Sequence, residues 1–329
     1  MLAAVVPKAN GKWNVQEVPT PRAGHGEVLI KIHASGICYT DVHQTRGSLP
    51  GEFPRILGHE PVGEIVEVGP GVKTRKVGDR VGVPWVQSSC GRCEWCARHK
   101  PFFCSDAQGT SVQKEGGHAQ FMLACANATV LLPEGISYEQ GAPIFCAGFT
   151  VWSGLRWADP KPGERVAVVG VGGLGHLGVQ YAKAAGFETI AVSRSPDKDA
   201  LIRQLGADEV VRNGEGLRAA GGADVILGTS NSSEAMADAI KGIRPDGRLV
   251  VMGFDPRPLP LSIGDLIFRR MRVMGSTQNL PEHLYEALSF VAAGKVKVMV
   301  ETYRLDAIAE AYERVEKGLA RFRAVVVLP

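Results

Sequence analysis

The chain has 329 residues, 37 Lys and Arg against 34 Asp and Glu for a formal charge of +3, and 45% hydrophobic residues. That length and apolar content suffice for two domains with a core each, while the even spread of charge excludes a basic arm for nucleic acid. The N-terminal "LAAVVPKANGKWNV" lacks the basic region and apolar run of a signal peptide, and no stretch approaches the roughly 20 apolar residues of a membrane span, so a cytoplasmic protein without a membrane partner is expected.

Along the chain, the first chemically dense segment is "ASGICYTDVHQ", where Cys38, Thr40, Asp41 and His43 crowd together. His59 and Glu60 follow in "ILGHEPVGEIVEVG", beside a strand-like run with alternating glycine and valine. "VGVPWVQSSCGRCEWCARHKPFFC" then carries Trp85 and four cysteines, Cys90, Cys93, Cys96 and Cys104, at C-x2-C-x2-C-x7-C spacing. The cysteines total seven, an odd number, and cytosolic thiols stay reduced, which argues against a disulfide framework. The spacing suits a closed tetrahedral thiolate cage, the form of a structural zinc site, with Gly91 in the turn and Arg92, Arg98 and Lys100 to offset thiolate charge. An iron–sulfur cluster uses the same ligands, but the chain offers no redox partner for one. Cys125 reads as a small buried apolar side chain. If Cys38, His59 and Cys146 converge, they form an open two-thiolate, one-imidazole zinc site with a position free for water or a substrate oxygen. Spacing alone leaves that convergence open.

"ERVAVVGVGGLGHLGVQYAKAAG" combines an apolar strand from Val166 to Val169, a G-x-G-x-x-G turn at Gly170, Gly172 and Gly175 enclosing Gly173 and Leu174, and an amphipathic helix through Ala185. Glycines in a strand–turn–helix context let a pyrophosphate approach a helix N-terminus, so a dinucleotide is expected here. Strands and helices then alternate through "TIAVSRS", "DKDALIRQLG", "EVVR", "ADVILGTS", "SEAMADAIKGI", "GRLVVMGF" and "RVMGST", which predicts a doubly wound parallel sheet over about 151–285. The helices "EALSFVAAGKVK" and "AEAYERVEKG" and the strand in "GLARFRAVVVLP" are expected to rejoin the N-terminal part, so that 1–150 and 286–329 form one domain.

These motifs, with "GAPIFCAGFTVW" around Cys146, stand in the order found in zinc-dependent medium-chain alcohol dehydrogenases, and the chain resembles that family over most of its length. The resemblance implies an α/β chain: a GroES-like β-rich catalytic domain with a structural zinc lobe at about 88–106, plus a Rossmann domain with its doubly wound parallel sheet. It implies two zinc ions per chain, a nicotinamide cofactor and a small-molecule alcohol or aldehyde substrate. Cys38, His59 and Cys146 match the catalytic zinc ligands, with Glu60 as an alternative or supporting ligand, and Cys90, Cys93, Cys96 and Cys104 match the structural set. Thr40 matches the hydroxyl that passes the substrate proton to a relay, His43 the solvent end of that relay, and Asp41 the carboxylate behind the histidine ligand. Arg323 matches an arginine that contacts the cofactor pyrophosphate. Tyr39 departs from the pattern, standing where many relatives carry a histidine near that pyrophosphate. Trp85 matches a large substrate-pocket residue in relatives that take small primary alcohols, and Leu49, Phe53 and Phe145 are candidates for an apolar wall. No polar cluster suited to a polyol is present.

An NAD enzyme is expected to end its second strand in Asp or Glu about 20 residues beyond the glycines. By register with the family, Ser193 occupies that position and Arg194 follows, so a 2′-phosphate would meet a hydroxyl and a guanidinium; Asp197 lies too far into the next turn to replace the acid. NADP(H) is therefore expected in preference to NAD(H), and with it aldehyde reduction. Two alternatives stand beside this: an NAD-dependent enzyme oxidising short-chain alcohols with Arg194 in solvent, and an inactive zinc-stabilised nucleotide-binding protein. The inactive form would be expected to have damaged the Cys38, Thr40, His59 and Cys146 set, which is intact. The zinc-free quinone reductase branch would leave both cysteine sets without purpose. The resemblance also implies a homo-oligomer, a dimer or tetramer, with "GRLVVMGF" or "RVMGST" as the pairing sheet edge.

Overall fold

The strand Glu27–Ile37 organises the first of two units, Met1–Cys146 with Val298–Pro329. Its "EVLIKIHASGI" turns Val28, Ile30 and Ile32 into a core shared with Ile65, Met122 and Val326. Along one side it pairs antiparallel with Pro61–Val68. Along the other, its first half meets Phe121–Cys125 and its second half meets Arg323–Val327. The last of these strands lies parallel to Val300–Arg304, and the amphipathic helix Ile308–Glu316 makes the crossover between them, burying Ile308 and Ala311. A smaller sheet of Asn14–Glu17, Leu2–Val6 and Arg55–Ile56 completes this β-rich unit. The computed structural model describes residues 1–49 and 51–329.

The second unit, Ala147–Lys297, holds six parallel strands in the order Glu209–Val211, Glu188–Val192, Arg165–Val169, Ala223–Gly228, Ile243–Val251, Arg272–Gly275. Strand order reverses beside Arg165–Val169, whose five residues are all buried, as expected of a strand covered on both faces. This is the Rossmann arrangement expected from the alternating motifs.

Two details differ from the sequence expectation. The unit boundaries fall after Cys146 and after Lys297, where 150 and 286 were expected. Ala147–Ala158 is one uninterrupted helix, so no boundary can lie at 150. Helix Pro281–Ala292 stays with the second unit and does not rejoin the first, because Phe290 packs on Trp152 at 4.8 Å and on Tyr181 at 5.7 Å. Tyr181 also donates its hydroxyl to the Ala287 carbonyl at 3.1 Å, and Trp152 Nε1 donates to Glu286 at 2.7 Å. The second correction concerns the sheet edge: Ile243–Val251 is flanked by strands on both sides, which leaves only Arg272–Gly275 of the two expected segments at an edge.

Candidate functional site

In the first unit, strand register assembles a cluster from segments far apart in sequence. Ser35 pairs with Pro61, so Gly36 faces Glu60; its N–H donates to the Glu60 carbonyl at 3.2 Å, and a Cβ there would come within 1.9 Å of Glu60 Oε2. Only glycine leaves room for that carboxylate. Ala324 pairs with Ile37, which brings Arg323 beside Cys38, and the buried Arg323 guanidinium forms an ion pair with Glu60 Oε1. Cys38 is the N-cap of helix Tyr39–Thr45. Asp41, at the third position of that helix, accepts the Cys38 N–H at 2.8 Å and the Gly58 N–H at 3.2 Å, and its Oδ1 lies 3.7 Å from His59 Nδ1. Cys146 follows the short turn Ala142–Phe145 and sets its Sγ 3.9 Å from Cys38 Sγ.

The ligand atoms of Cys38, His59, Glu60 and Cys146 all lie within 4.8 Å of one another. Both ring nitrogens of His59 and Oε2 of Glu60 are buried with no hydrogen-bond partner among the described residues. Such orphaned groups are costly unless a cation takes them. The electrostatics point the same way. A hydrogen bond from Cys146 drives the Cys38 thiol well below its ordinary pKa despite burial, while Cys38 and burial hold the Cys146 proton on, so a cation is needed before both sulfurs ionise. Burial works against a positive His59, yet Asp41 and Cys38 outweigh it and raise its pKa well above the ordinary value. Burial raises Glu60 to about 7 against the pull of Arg323. Two thiolates and one imidazole, with a carboxylate in reach, suit zinc with room for a further ligand.

Around this cluster stand the other expected residues. The Thr40 hydroxyl lies 3.7 Å from Cys38 Sγ, and the Trp85 ring meets the His59 ring edge-on at 5.3 Å. His43 is half-buried against Tyr39 at 5.1 Å, and burial lowers its pKa. Phe145 is fully buried against Gly82, so it serves the core and not a pocket wall, and Phe53 packs on the core and beneath Arg55. One residue has no counterpart among the sequence expectations. His118, buried, places Nε2 3.8 Å from Asp41 Oδ1, the same oxygen that lies 3.7 Å from His59 Nδ1, and burial lowers its pKa to about 4. A lone histidine in "GGHAQF" has no ligand-like spacing that could have singled it out.

The second cluster lies in the cysteine loop, whose base is closed by Val86–Ser88 pairing with Gln108–Gly109. The sulfurs of Cys90, Cys93, Cys96 and Cys104 lie within 4.8 Å of one another, and all seven cysteines are free. Backbone N–H groups turn inward: Cys93 donates to Cys90 Sγ at 3.3 Å and Cys90 to Cys104 Sγ at 3.5 Å. Hydrogen bonds from the Arg92 and Cys93 backbone lower the Cys90 thiol to about 6. Four sulfurs with amide donors aimed at them and no open position fit a structural zinc.

In the second unit the three glycines divide the work. Gly170 sits at φ +88°, where a side chain is strained; a Cβ on Gly175 would come 2.1 Å from the Gly170 carbonyl; a Cβ on Gly172 would meet nothing within 4 Å. Turn, tight helix–strand packing and an open face before helix Gly175–Ala184 are what a pyrophosphate cradle needs, with Gly173 and Leu174 completing the turn. Strand Glu188–Val192 ends one residue before Ser193, which is buried, while Arg194 is exposed and forms no ion pair among the described residues.

Residues 24–134 match the family model for the alcohol dehydrogenase GroES-like domain, and residues 173–293 match that for zinc-binding dehydrogenase. The chain is 41% identical over 334 residues to an alcohol dehydrogenase of Geobacillus stearothermophilus, covering 99% of each protein. Among solved structures it is similar to CAD from Helicobacter pylori complexed with NADP(H), with 27% identity, a TM-score of 0.91 and coverage of 99% and 97% of the two chains. It is also similar to acetophenone reductase from Geotrichum candidum in complex with NAD, with 28% identity, a TM-score of 0.89 and coverage of 99% and 97%.

Proposed function

The chain belongs to the zinc-dependent medium-chain alcohol dehydrogenase family, and from that premise we propose that it is an NADP(H)-preferring enzyme reducing primary aliphatic or aromatic aldehydes and oxidising the matching alcohols. The observation that carries the cofactor preference is the end of strand Glu188–Val192, where Ser193 and the exposed Arg194 stand in place of an acid. A carboxylate there would bind ribose hydroxyls and repel a 2′-phosphate; a hydroxyl and a guanidinium do the reverse. Cytoplasmic location and a homo-oligomer belong to the same proposal. The oligomer is supported by the edge strand Arg272–Gly275 beside helix Ile263–Phe268, which leaves Ile263, Ile267 and Phe268 exposed at 73%, 62% and 87%.

Cys38, His59 and Cys146 would hold the catalytic zinc, Glu60 would stand by as an alternative ligand, and Cys90, Cys93, Cys96 and Cys104 would hold a second, structural ion. Zinc in the open set supplies Lewis acidity toward an alcohol or carbonyl oxygen, and the nicotinamide supplies or accepts the hydride. The residues of the chain do the rest. Thr40 Oγ1, beside Cys38, accepts the alcohol proton in oxidation as it gives up its own toward His43, and runs the exchange in reverse in reduction. His43, whose pKa burial depresses, is largely neutral near pH 7 and passes that proton on to solvent. Trp85, edge-on to His59, bounds the substrate with apolar surface and sets its carbon chain against the ligand group. Asp41 fixes the Cys38 and Gly58 amides and with them the ligand geometry, and Arg323 holds Glu60 and offers charge to the cofactor pyrophosphate. Gly170, Gly172 and Gly175 give the pyrophosphate backbone contact.

Initial rates of NADPH and NADH oxidation with one aromatic aldehyde, over a range of cofactor concentrations, test the proposal. A kcat/KM advantage for NADPH of about tenfold or more is expected, the scale of a charge-assisted phosphate contact. An NADH advantage would overturn the preference and leave the short-chain alcohol oxidiser as the better account.

A further inference from the structure

Ser193 has a neighbour whose position only the sheet register reveals. Glu188–Val192 and Glu209–Val211 are parallel partners with Val192 opposite Val211, so Ser193 and Arg212 leave the sheet side by side at its carboxyl end. Ligands of open α/β sheets bind outside that end. The Ser193 N–H donates to the Val211 carbonyl at 2.9 Å, and Arg212 Nη1 donates to the Ser193 carbonyl at 3.0 Å. The same guanidinium is gripped by Asp199 at the start of helix Asp199–Gln204: Nη1 donates to Oδ1 at 2.8 Å and Nη2 to Oδ2. Three of the five guanidinium N–H groups are thereby committed, and the Nε–H and one Nη2–H remain to offer. The side chain is 43% exposed, so a ligand has access to it. A fork held in place by a carboxylate loses little freedom when an anion arrives.

We propose that Arg212 is a specificity-determining residue that binds the 2′-phosphate of the cofactor together with Ser193 and Arg194, an inference that rests on the NADP(H) preference proposed above. Asp199 is then a positioning residue: it holds the Arg212 fork over the end of the second strand. The site carries two guanidiniums, Arg194 and Arg212, and one directly paired carboxylate, Asp199, which leaves a net positive charge for the phosphate. A salt bridge that merely ties the helix to the strand would be indifferent to what the ribose carries.

Calorimetric titration of the zinc-loaded full chain with 2′,5′-ADP and with 5′-AMP separates these roles without turnover. In the wild type 2′,5′-ADP is expected to bind more tightly. Arg212→Gln should weaken 2′,5′-ADP by about tenfold and leave 5′-AMP within about twofold, as for loss of one charge-assisted contact. Arg212→Lys, which keeps the charge but loses the fork, should fall between the two; it carries the same comparison should Arg212→Gln not fold. If the variants keep the wild-type discrimination, or weaken both nucleotides alike, Arg212 does not read the phosphate, and the NADP(H) preference stands on Ser193 and Arg194. If the wild type itself does not discriminate, that preference fails and the role of Arg212 with it.

Discussion

Asp41 caps a helix through the Cys38 amide, fixes the Gly58 amide and faces two imidazoles, His59 and His118. Asp41→Asn keeps the size and loses the charge, so zinc affinity or kcat should fall by about 10–100-fold, the range for supporting ligands, with the near-ultraviolet dichroism unchanged. Competition with a chromogenic chelator measures the first and steady-state rates the second. His118 gives a pH signature. Burial lowers its folded pKa to about 4, with the charge of His59 adding to the effect. The imidazole is neutral in both states above its unfolded value of about 6.5, so nothing is lost there. As pH falls from about 6.5 toward 4 the unfolded chain takes up the proton first, and stability declines by about 3 kcal/mol before levelling off. Urea unfolding at several pH values with saturating zinc should show that slope in the wild type and a shallower one in His118→Asn. Cys38, His59, Glu60 and Cys146 were each legible as ligand types, but their convergence comes from pairings such as Gly36 against Glu60, which local patterns do not encode. His118 escaped for the same reason, since it acquires meaning only from Asp41, far away in sequence, while the partners of Arg212, Ser193 and Asp199, are near in the chain but meet it only through the parallel strand pairing.

At the level of elements, the cysteine lobe was the most readable part of the chain, because its ligand spacing and the turn that closes it are local. Its sulfurs receive backbone amides, and its short helix Glu94–Ala97 buries no residue, so little apolar packing supports it without metal. Cys104→Ser should therefore reduce bound zinc from about two to one per chain and open residues 89–106 to proteolysis, with the remaining ion staying at Cys38, His59 and Cys146. Metal analysis after dialysis, with mass spectrometry of the first cleavage products, checks both halves. The glycine turn and the alternation of strands were equally legible. The helix Pro281–Ala292 was not: its apolar face is evident in sequence, but only the aromatic contacts of Phe290 with Trp152 and Tyr181 decide which core receives it.

For the whole molecule, the exposed apolar helix Ile263–Phe268 beside the edge strand Arg272–Gly275 bears on assembly. A charge at the most exposed position, Phe268→Asp, should shift the species seen by light scattering to a smaller one, with zinc content and far-ultraviolet dichroism preserved. Retention of the wild-type mass would remove this face from the interface. The strand Arg323–Val327 returns to Ile37 only after the whole of the second unit has intervened. That return has a consequence for biosynthesis. Glu60 and its counter-ion Arg323 are 263 residues apart, and Cys146 precedes the entire nucleotide-binding unit while Arg323 follows it. On the ribosome, Cys38, His59 and Cys146 emerge while the guanidinium that neutralises Glu60 has yet to be translated. A nascent chain can capture zinc early, but it cannot bury that carboxylate in its finished surroundings until the last strand has been added. Completion of this cluster would thus be a late step, paced by translation of a second unit that contributes no residue to it.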